Sequence, residues 1–551
     1  MGTIVLTGAT SGSTTIQPTD AVTAVITLPS TSGTLSVSGG SPSFSTITTT
    51  NDASISGLTV GKGNNAGTSN TALGLSALIS NTGDNDVVAV GSFALTSNTS
   101  GIDNVATGSG SLRVNTTGST NAGFGRASLR LNTTGSSNTG LGAYALYSNT
   151  TASNNTAVGY QAAYTNATGT ALTAIGKSAG QVYNTNGTEN AGSTFVGANA
   201  GRFATTATDN AFLGAQAGYS TTTGSTCTAV GSQALYSNTT ANYNTAIGQL
   251  SLYTNTTATQ CVAVGNSALY NSNSGGTTAI GYQAGYKVTS ITGNSWYSTF
   301  IGNSAGYSIT TGWDNVAVGS FALGQTSATN TANNNTAIGT AAMYQTTTGG
   351  NCTAVGYQAL YNATSGGSNI GIGYNSGANF TTGAGCVFLG GNTNAGSGGD
   401  NYEIVIGYGA TGKGSSTGFI SPNGGGVYQG NNSGSWSTTS DQRLKKNIVD
   451  NTDGLSKITA IQVRNFEYRL PEEVTELDKS CAVAVEGVQI GVIAQEIQQV
   501  LPNCVKEEST GVLSVDSDNL TWYLINAVKE LNTLAQTQAA QIAALTAKVG
   551  A

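Results

Sequence analysis

The chain has 551 residues, with 77 Gly, only 8% charged side chains and a formal net charge of -7. Disordered chains are usually rich in Pro, Lys and Glu, whereas here Ala, Val, Ile, Leu and Tyr recur at steady intervals, so we expect regular burial. The charge balance gives no basic stripe for nucleic acid, and no run approaches the roughly 18 apolar residues of a membrane span. We therefore expect neither nucleic acid binding nor membrane insertion.

Residues 1–60 predict short strands around Gly and Pro turns. The N-terminal stretch MGTIVLTGATSGSTTIQ lacks a basic region followed by an apolar core, so we expect no secretory signal and synthesis in the cytoplasm.

From residue 61 one motif recurs, as in NNTAVGYQAAYTNATG (154–169) and NCTAVGYQALYNATSG (351–366). The glycine after Ala-Val or Ala-Ile, the repeat glycine, returns every 17 residues in most steps between Gly61 and Gly407. A step of this length is too short for two helices but fits two short strands and two turns, which make one rung of a β-solenoid. Rungs stacked at ~4.8 Å predict a shaft on the order of 100 Å long.

Small side chains three residues after the repeat glycine, such as Ala145, Ala162 and Ala234, predict a thin interior. One chain would then bury little apolar area, and association of chains would remedy this. The motif resembles the Ala-Ile-Gly-x-x-Ala repeat of trimeric autotransporter adhesin heads, which implies a trimer of parallel β-rolls. A triple-stranded intertwined β-helix is the alternative.

Four cysteines, Cys227, Cys261, Cys352 and Cys386, stand four residues before the repeat glycine, where Asn stands in many other repeats. Cys227 and Cys261 are two rungs apart, about 10 Å, which is too far for a disulfide within one chain. We expect reduced packing residues. The chain has no His, and neither a metal nor a cofactor is expected.

Three steps are longer, and the middle one carries Trp296 and Tyr297. Trp313 follows Trp296 by 17 residues and stands beside Asp314, so these side chains are expected at the same turn of neighbouring rungs. Exposed aromatic faces suit a sugar ring, and the four residues are a candidate glycan site. The alternative is that the aromatic rings only pack together.

A tyrosine often follows the Ala-Leu pair of the repeat, and we expect these rings to pack as a ladder. The residues are Tyr147, Tyr164, Tyr236, Tyr253, Tyr270 and Tyr361.

The composition changes at Ser440: residues 1–439 hold 8 basic and 10 acidic side chains, and the last 112 residues hold 10 and 15. The stretch GLSKITAIQ predicts a helix, VRNFEYRL a strand, GVQIGVIAQEIQQVLP a strand and a helix, and VLSV a strand. A long helix is predicted from Asp516 to Val549. Its apolar residues alternate steps of four and three with a polar layer at Gln538, which is typical of a coiled coil, and a trimeric seam would match the shaft.

The segment SDQRLKKNI (440–448), followed by GVIAQE (491–496), LP (501–502) and AVKEL (527–531), resembles the C-terminal intramolecular chaperone of endosialidase-type phage tail spikes and fibres. The resemblance implies a domain that trimerises, helps the β-structured part to fold and then cuts itself off.

Carried over to this chain, the resemblance makes Ser440 the nucleophile, Lys445 the base, and Ser440–Asp441 the scissile bond. A lysine that loses hydration in an assembled trimer has a lowered pKa, so its free amine can accept the hydroxyl proton. Some relatives have a histidine four residues before the serine, where this chain has Trp436. The alternative is that SDQRLKKNI is only the capped start of a helix.

The sequence thus predicts a mostly β fold: a trimeric parallel β-solenoid of 17-residue repeats, then a small α/β chaperone domain that ends in a coiled-coil helix. Its predicted parts are an N-terminal attachment region (1–60), the shaft (61–407), a Gly/Ser-rich connector or tip (408–439) and the chaperone (440–551).

The predicted function is a homotrimeric virion tail fibre that joins the phage particle through its N-terminus and binds host surface glycans. A tail-spike polysaccharide depolymerase, which would need clustered carboxylates, and a purely structural spacer or adhesin are the alternatives.

Overall fold

The computed structural model describes residues 53–55, 58–63, 69–83, 85–185, 192–289, 297–325, 329–423, 425–429, 437–438, 440–483, 485–508 and 511–550. The chain separates into two compact units, Met1–Thr438 and Thr439–Ala551. Most of the predicted attachment region 1–60 lies outside the described residues, and the four-part division of the chain stays a prediction.

The first unit is a β-solenoid in which each rung contributes one short strand to a parallel sheet. Neighbouring strands pair one repeat apart, for example Thr139 with Thr156 and Leu141 with Val158. The predicted mostly β fold with a solenoid of 17-residue repeats is therefore confirmed. The strands are β1 (Ala53–Ile55), β2 (Leu58–Gly61), β3 (Thr71–Leu73), β4 (Val88–Val90), β5 (Val105–Thr107), β6 (Ala122–Phe124), β7 (Thr139–Leu141), β8 (Thr156–Val158), β9 (Thr173–Ile175), β10 (Thr194–Val196), β11 (Ala211–Leu213), β12 (Thr228–Val230), β13 (Thr245–Ile247), β14 (Val262–Val264), β15 (Thr278–Ile280), β16 (Thr299–Ile301), β17 (Val316–Val318), β18 (Thr336–Ile338), β19 (Thr353–Val355), β20 (Ile370–Ile372), β21 (Val387–Leu389), β22 (Ile404–Ile406), β23 (Gly418–Asn423), β24 (Gly425–Gln429) and β25 (Ser437–Thr438).

The parallel stack runs from β3 to β23, and the pairing is antiparallel at both ends. The strands β1, β2 and β3 pair antiparallel in sequence, and so do β23, β24 and β25. The first glycine of the series, Gly61, therefore stands in an antiparallel pair rather than in the parallel stack.

The rung itself differs from the prediction of two strands. After each three-residue strand the chain turns through left-handed residues such as Tyr144 (φ 63) and Leu146 (φ 50), and no second strand is assigned in the described rungs between β3 and β22. The turn buries Ala145 and Leu146 completely, so side chains from the turn and from the strand together fill the thin interior.

The repeat glycines stand where successive rungs approach each other most closely. Gly142 has φ +135, and a Cβ there would lie 2.6 Å from the carbonyl oxygen of Gly159 in the next rung. Glycine is required here because both the backbone conformation and the space exclude a side chain.

Buried asparagines form ladders along the interior. Asn132 Nδ2 donates to Asn115 Oδ1 (2.7 Å), and Asn149 Nδ2 donates to Asn132 Oδ1 (2.6 Å). A second ladder includes Asn121, whose Nδ2 donates to Asn104 Oδ1 (3.1 Å). The amide carries donors and an acceptor together, so one side chain satisfies groups in its own rung and the neighbouring rung.

Four cysteines occupy positions in the second asparagine ladder, as packed thiols. The Cys227 backbone N–H donates to Asn210 Oδ1 (2.8 Å), and its thiol donates to the Ala241 carbonyl (3.4 Å). Burial raises the pKa of the Cys227 thiol to about 11, so it stays protonated at neutral pH. All six cysteines are free.

The predicted tyrosine ladder is present. Tyr147 stacks on Tyr164 with ring centroids 5.0 Å apart, and a longer run of stacked rings continues at spacings of 4.9 to 5.2 Å. This run consists of Tyr219, Tyr236, Tyr253, Tyr270, Tyr286 and Tyr307.

The second unit is a small α/β domain with a terminal helix, as predicted. Its elements are α1 (Leu455–Ala460), β26 (Arg464–Phe466), β27 (Gln489–Gly491), α2 (Ala494–Val500), β28 (Val505–Glu507), β29 (Leu513–Val515) and α3 (Ser517–Val549). Its core is Ile497, Leu501, Cys504 and Tyr523. Strand β28 was not predicted, because its three residues VKE are too few to show an apolar alternation.

Replacing a repeat glycine should destabilise the shaft strongly. We expect Gly142→Ala to cost about 2–4 kcal/mol, since the new Cβ meets the next rung at a strained φ. The measurement is the thermal unfolding midpoint followed by circular dichroism. Gly110→Ala is the control, because Gly110 has φ +68 and nothing within 4 Å, so it should cost only about 1 kcal/mol. Equal midpoints for the two variants would contradict the close approach.

Candidate functional site

A tight turn brings Ser440 and Lys445 together in the second unit. Asp441 caps a 3-10 turn (Gln442–Leu444), and its carboxylate accepts from the Arg443 backbone N–H at 2.9 Å. The Leu444 N–H donates back to the Asp441 carbonyl at 3.0 Å. The chain therefore reverses direction, and Lys445 Nζ donates to Ser440 Oγ at 2.7 Å.

An ion pair stabilises the same turn. Arg443 Nε donates to both carboxylate oxygens of Asp441 at 3.1 Å, and Nη2 donates to Oδ2. Arg443 holds the pKa of the Asp441 carboxyl below its usual value, and Asp441 raises the pKa of Arg443 in turn. This role of Asp441 and Arg443 was not predicted, although the two residues stand only two positions apart at a possible cap.

The alternative that this segment is only the capped start of a helix is partly correct. A cap is present, but Asp441 rather than Ser440 supplies it, and the helical segment is only three residues long. The cap leaves the Ser440 hydroxyl available to Lys445. The capped turn and the Ser/Lys pair are therefore compatible features of one segment.

The pair is exposed to solvent in a single chain. Ser440 and Lys445 are both exposed, and the neighbouring apolar side chains Leu444, Ile448 and Val449 are 75%, 63% and 87% exposed. Apolar side chains of this size are seldom left so open without a partner. Trp436, at the position of the histidine of some relatives, lies outside the described residues.

Contacts within the second unit give structural roles to other residues of the quoted motifs. Glu496, from GVIAQE, forms a salt bridge with Arg464 (2.9 Å). Glu530, from AVKEL, accepts from the Leu455 backbone N–H (2.8 Å) and so ties α3 to the start of α1. These motif residues position the helices around the core.

The candidate glycan residues are only partly described. Tyr297 is 70% exposed and its ring lies over Gly276, where a Cβ would be 2.9 Å from the ring. Trp313 and Asp314 are each partly exposed, and Asp314 has φ 53. Trp296 lies outside the described residues, so its stacking on Trp313 stays a prediction.

The tyrosine ladder is a poorer surface for sugars than its exposure suggests. Tyr236 stacks on Tyr219 and on Tyr253 at 4.9 and 5.1 Å, so both of its faces are covered by neighbouring rings. Only ring edges and hydroxyl groups remain for a ligand within the run. The ladder's main contribution is packing between rungs.

Comparison with known proteins finds a match in the first part of the second unit. Residues 440–506 match the family model described as chaperone of endosialidase. No solved structure matches the chain. Within the described residues, no helix is long and apolar enough to cross a membrane.

The chain therefore combines a long β-solenoid with an endosialidase-type chaperone domain at its C-terminus. This combination fits a phage tail fibre or tail-spike-like protein.

Proposed function

We propose that the protein is a homotrimeric phage tail fibre that attaches the virion to the host surface and matures by self-cleavage at Ser440. The observation that supports this most directly is an apolar column on the outside of the shaft. In the parallel strands the middle residue is buried, and the residue before the repeat glycine faces outward.

This outward position is apolar in nearly every rung, so the column continues along the sheet. Ile247, Ile280 and Leu141 are 39%, 40% and 48% exposed. Monomeric proteins rarely expose a contiguous apolar surface of this length, so copies of the chain that pack sheet to sheet would explain it. The members more than a third exposed are Phe124, Leu141, Ile175, Leu213, Ile247, Ile280, Ile301, Ile338, Ile372 and Leu389.

The terminal helix α3 offers a second surface for the same partners. Its predicted seam is exposed, with Leu524, Val528 and Ile542 at 51%, 59% and 67%. A seam with steps of four and three residues would be covered by parallel copies of the helix. A clamp of this kind raises the local concentration of chains while a slow, non-local β-fold assembles.

The self-cleavage step uses the Ser440–Lys445 contact. Neutral Lys445 Nζ takes the proton of Ser440 Oγ as the oxygen bonds to a carbonyl carbon, and the C–N bond before Asp441 then breaks. The departing nitrogen receives the proton, and water hydrolyses the ester. Assembly would bury Lys445 beside Leu444 and Ile448, and loss of hydration favours the neutral amine.

The attacked carbonyl is assigned to a neighbouring copy. If Ser440 Oγ attacked the carbonyl of its own residue, a strained β-lactone would form. Attack on the neighbouring chain avoids this ring and makes assembly a condition for cleavage. Assembly would therefore precede release of the chaperone.

The remaining parts of the proposal concern the ends and the ligand of the fibre. The N-terminal region would join the phage particle, and host glycans would bind beside Tyr297, Trp313 and Asp314, with Trp296 as a predicted fourth member. A polysaccharide depolymerase and a purely structural spacer or adhesin are the outcomes that the glycan experiment below distinguishes.

Charges in the apolar column should prevent trimer formation. We expect Ile247→Asp with Ile280→Asp to destabilise each contact by about 3 kcal/mol or more, because unpaired carboxylates would be buried. Sedimentation velocity reports the fraction of trimer. Thr257→Asp, at an exposed position outside the strand of the same rung, is the matched control and should leave the trimer intact. A trimer that survives the first variant would place the contact on another face.

Self-cleavage should require Ser440 and Lys445 but not Lys446. The denatured mass of the native chain should show the fragments Met1–Ser440 and Asp441–Ala551, and Ser440→Ala should stay whole. We expect Lys445→Met to slow cleavage at least ~10²-fold and Lys446→Met to have little effect. Equal loss in both lysine variants would contradict the assigned pair.

A mixed trimer tests the attack between copies. When a tagged Ser440→Ala chain is produced together with the native chain, we expect its bond before Asp441 to be cut by native neighbours. A tagged chain that remains whole inside mixed trimers would show that each chain cuts only itself. Fragments that end at Thr439 instead would place the scissile bond one residue earlier.

Glycan binding should depend on the aromatic residues near the middle insertion. On an array of host surface polysaccharides we expect Tyr297→Ala with Asp314→Ala to lose at least ~10-fold in affinity. Tyr408→Ala is the control, because Tyr408 is at least as exposed as Tyr297, at 79% against 70%, but distant along the chain. Release of reducing ends would indicate the depolymerase, and no binding by the native trimer would indicate the spacer.

A further inference from the structure

Charged side chains of opposite sign lie on opposite edges of the shaft. The leading edge is defined by the position five residues before the repeat glycine, and the trailing edge by the positions one to six residues after it. Because all strands of the stack are parallel, each position stays on one edge from rung to rung.

The described aspartates of the shaft between β3 and β20 stand at the leading edge. They are Asp86, Asp103, Asp209 and Asp314, all with φ between 50 and 58. The first three are exposed and Asp314 is partly exposed. Among the described residues, none of them forms an ion pair with a base, and the four salt bridges found lie in the second unit.

The bases of the same rungs stand at the trailing edge. Aromatic rings orient several of them: Arg113 lies over Phe93 at 5.0 Å, and Arg202 lies over Tyr219 at 5.9 Å. These rings hold the guanidinium groups along the edge. The trailing-edge bases are Arg113, Arg126, Arg130, Lys177, Arg202 and Lys287.

Acidic and basic side chains occur in the same groups of neighbouring rungs. In the sequence, residues 84–130 hold three acids and three bases, residues 177–209 hold two of each, and residues 287–314 hold one of each. The intervening stretches 131–176, 210–286 and 315–399 hold no charge at all. Each charged zone is therefore neutral in sum while its signs are separated across the strand.

We propose that these zones pair between copies, so that the trailing edge of each chain meets the leading edge of the next and fixes the axial register of three shafts. This inference rests on the proposed trimer. When three sheets face a common axis, each corner joins one edge of a chain to the opposite edge of its neighbour, which is a heterologous contact that closes into a ring.

The acids and bases lie at similar positions along the shaft axis, as pairing between copies requires. Arg202 and Asp209 are seven residues apart in the same coil of the solenoid, and Asp103 and Arg113 are ten apart. In level copies each pair would differ in height by less than one rung, under ~4.8 Å.

The charges would fix the axial register between copies, which the apolar column alone would not. A column of similar Val, Ile and Leu side chains fits equally well after a slip of one rung, as a flat apolar ladder does. Charge zones separated by long neutral stretches limit such a slip, since a zone displaced by several rungs leaves its acids and bases opposite uncharged stretches. Complementary charges commonly fix register and partner choice in this way.

A charge exchange tests the pairing. We expect Asp103→Lys with Asp209→Lys to raise the dissociation constant of the trimer at least ~10-fold, and Arg113→Glu with Arg202→Glu to do the same. The four substitutions together should restore the trimer, because each new lysine then meets a new glutamate. Gln260→Lys, at the same leading-edge position in a neutral stretch, is the matched control and should have little effect.

Cross-linking separates this inference from the proposed trimer. In a chain with Cys481→Ser, the pair Asp103→Cys and Arg113→Cys should give covalent trimers on oxidation, whereas either substitution alone should not. Native mass that shows trimers without cross-links from the pair, or with equal cross-links from the single variants, would overturn the edge pairing and leave the trimer standing. Native mass that shows only monomers would overturn both.

Discussion

Hydrogen bonding between successive rungs is the constraint on which the shaft depends. Its strands have three residues, at the lower limit for strands, so no rung holds its shape alone. Backbone groups and buried amides find their partners about one repeat away, and the ladder therefore tolerates extra residues only outside the strand. The longer step after Gly176 shows this, because Thr173 still pairs in register with Thr194.

The repeat made much of this fold predictable. A regular step, a repeat glycine and recurrent tyrosines were enough to predict the solenoid and its ring ladder, and heptad spacing predicted α3. The asparagine ladders were not predicted, because spacing alone does not say that Asn132 points inward. The left-handed turn at Leu146 was also missed, since leucine has no local preference for that conformation and the contacts of the rung impose it.

At the candidate site the motif predicted which residues belong together, and local geometry explained how. Ser440 and Lys445 are five residues apart, a spacing that a straight helix would not bring into contact, and the Asp441 cap with its Arg443 ion pair closes the gap. The exposure of both side chains was not visible in the motif. In the proposed trimer, assembly would cover these side chains, as it would cover the apolar column of the shaft.

The antiparallel strands at the two ends of the stack bear on the length of the shaft. An open parallel edge would invite further strands from any similar chain, whereas a hairpin presents a different pattern of donors and acceptors and covers the last rung. End-to-end polymerisation is thereby disfavoured, and the number of repeats in the sequence sets the length of the shaft. Duplicating or deleting one repeat would change the reach of the molecule by ~4.8 Å without disturbing either terminus. Such unit steps offer a graded route by which related chains could differ in length.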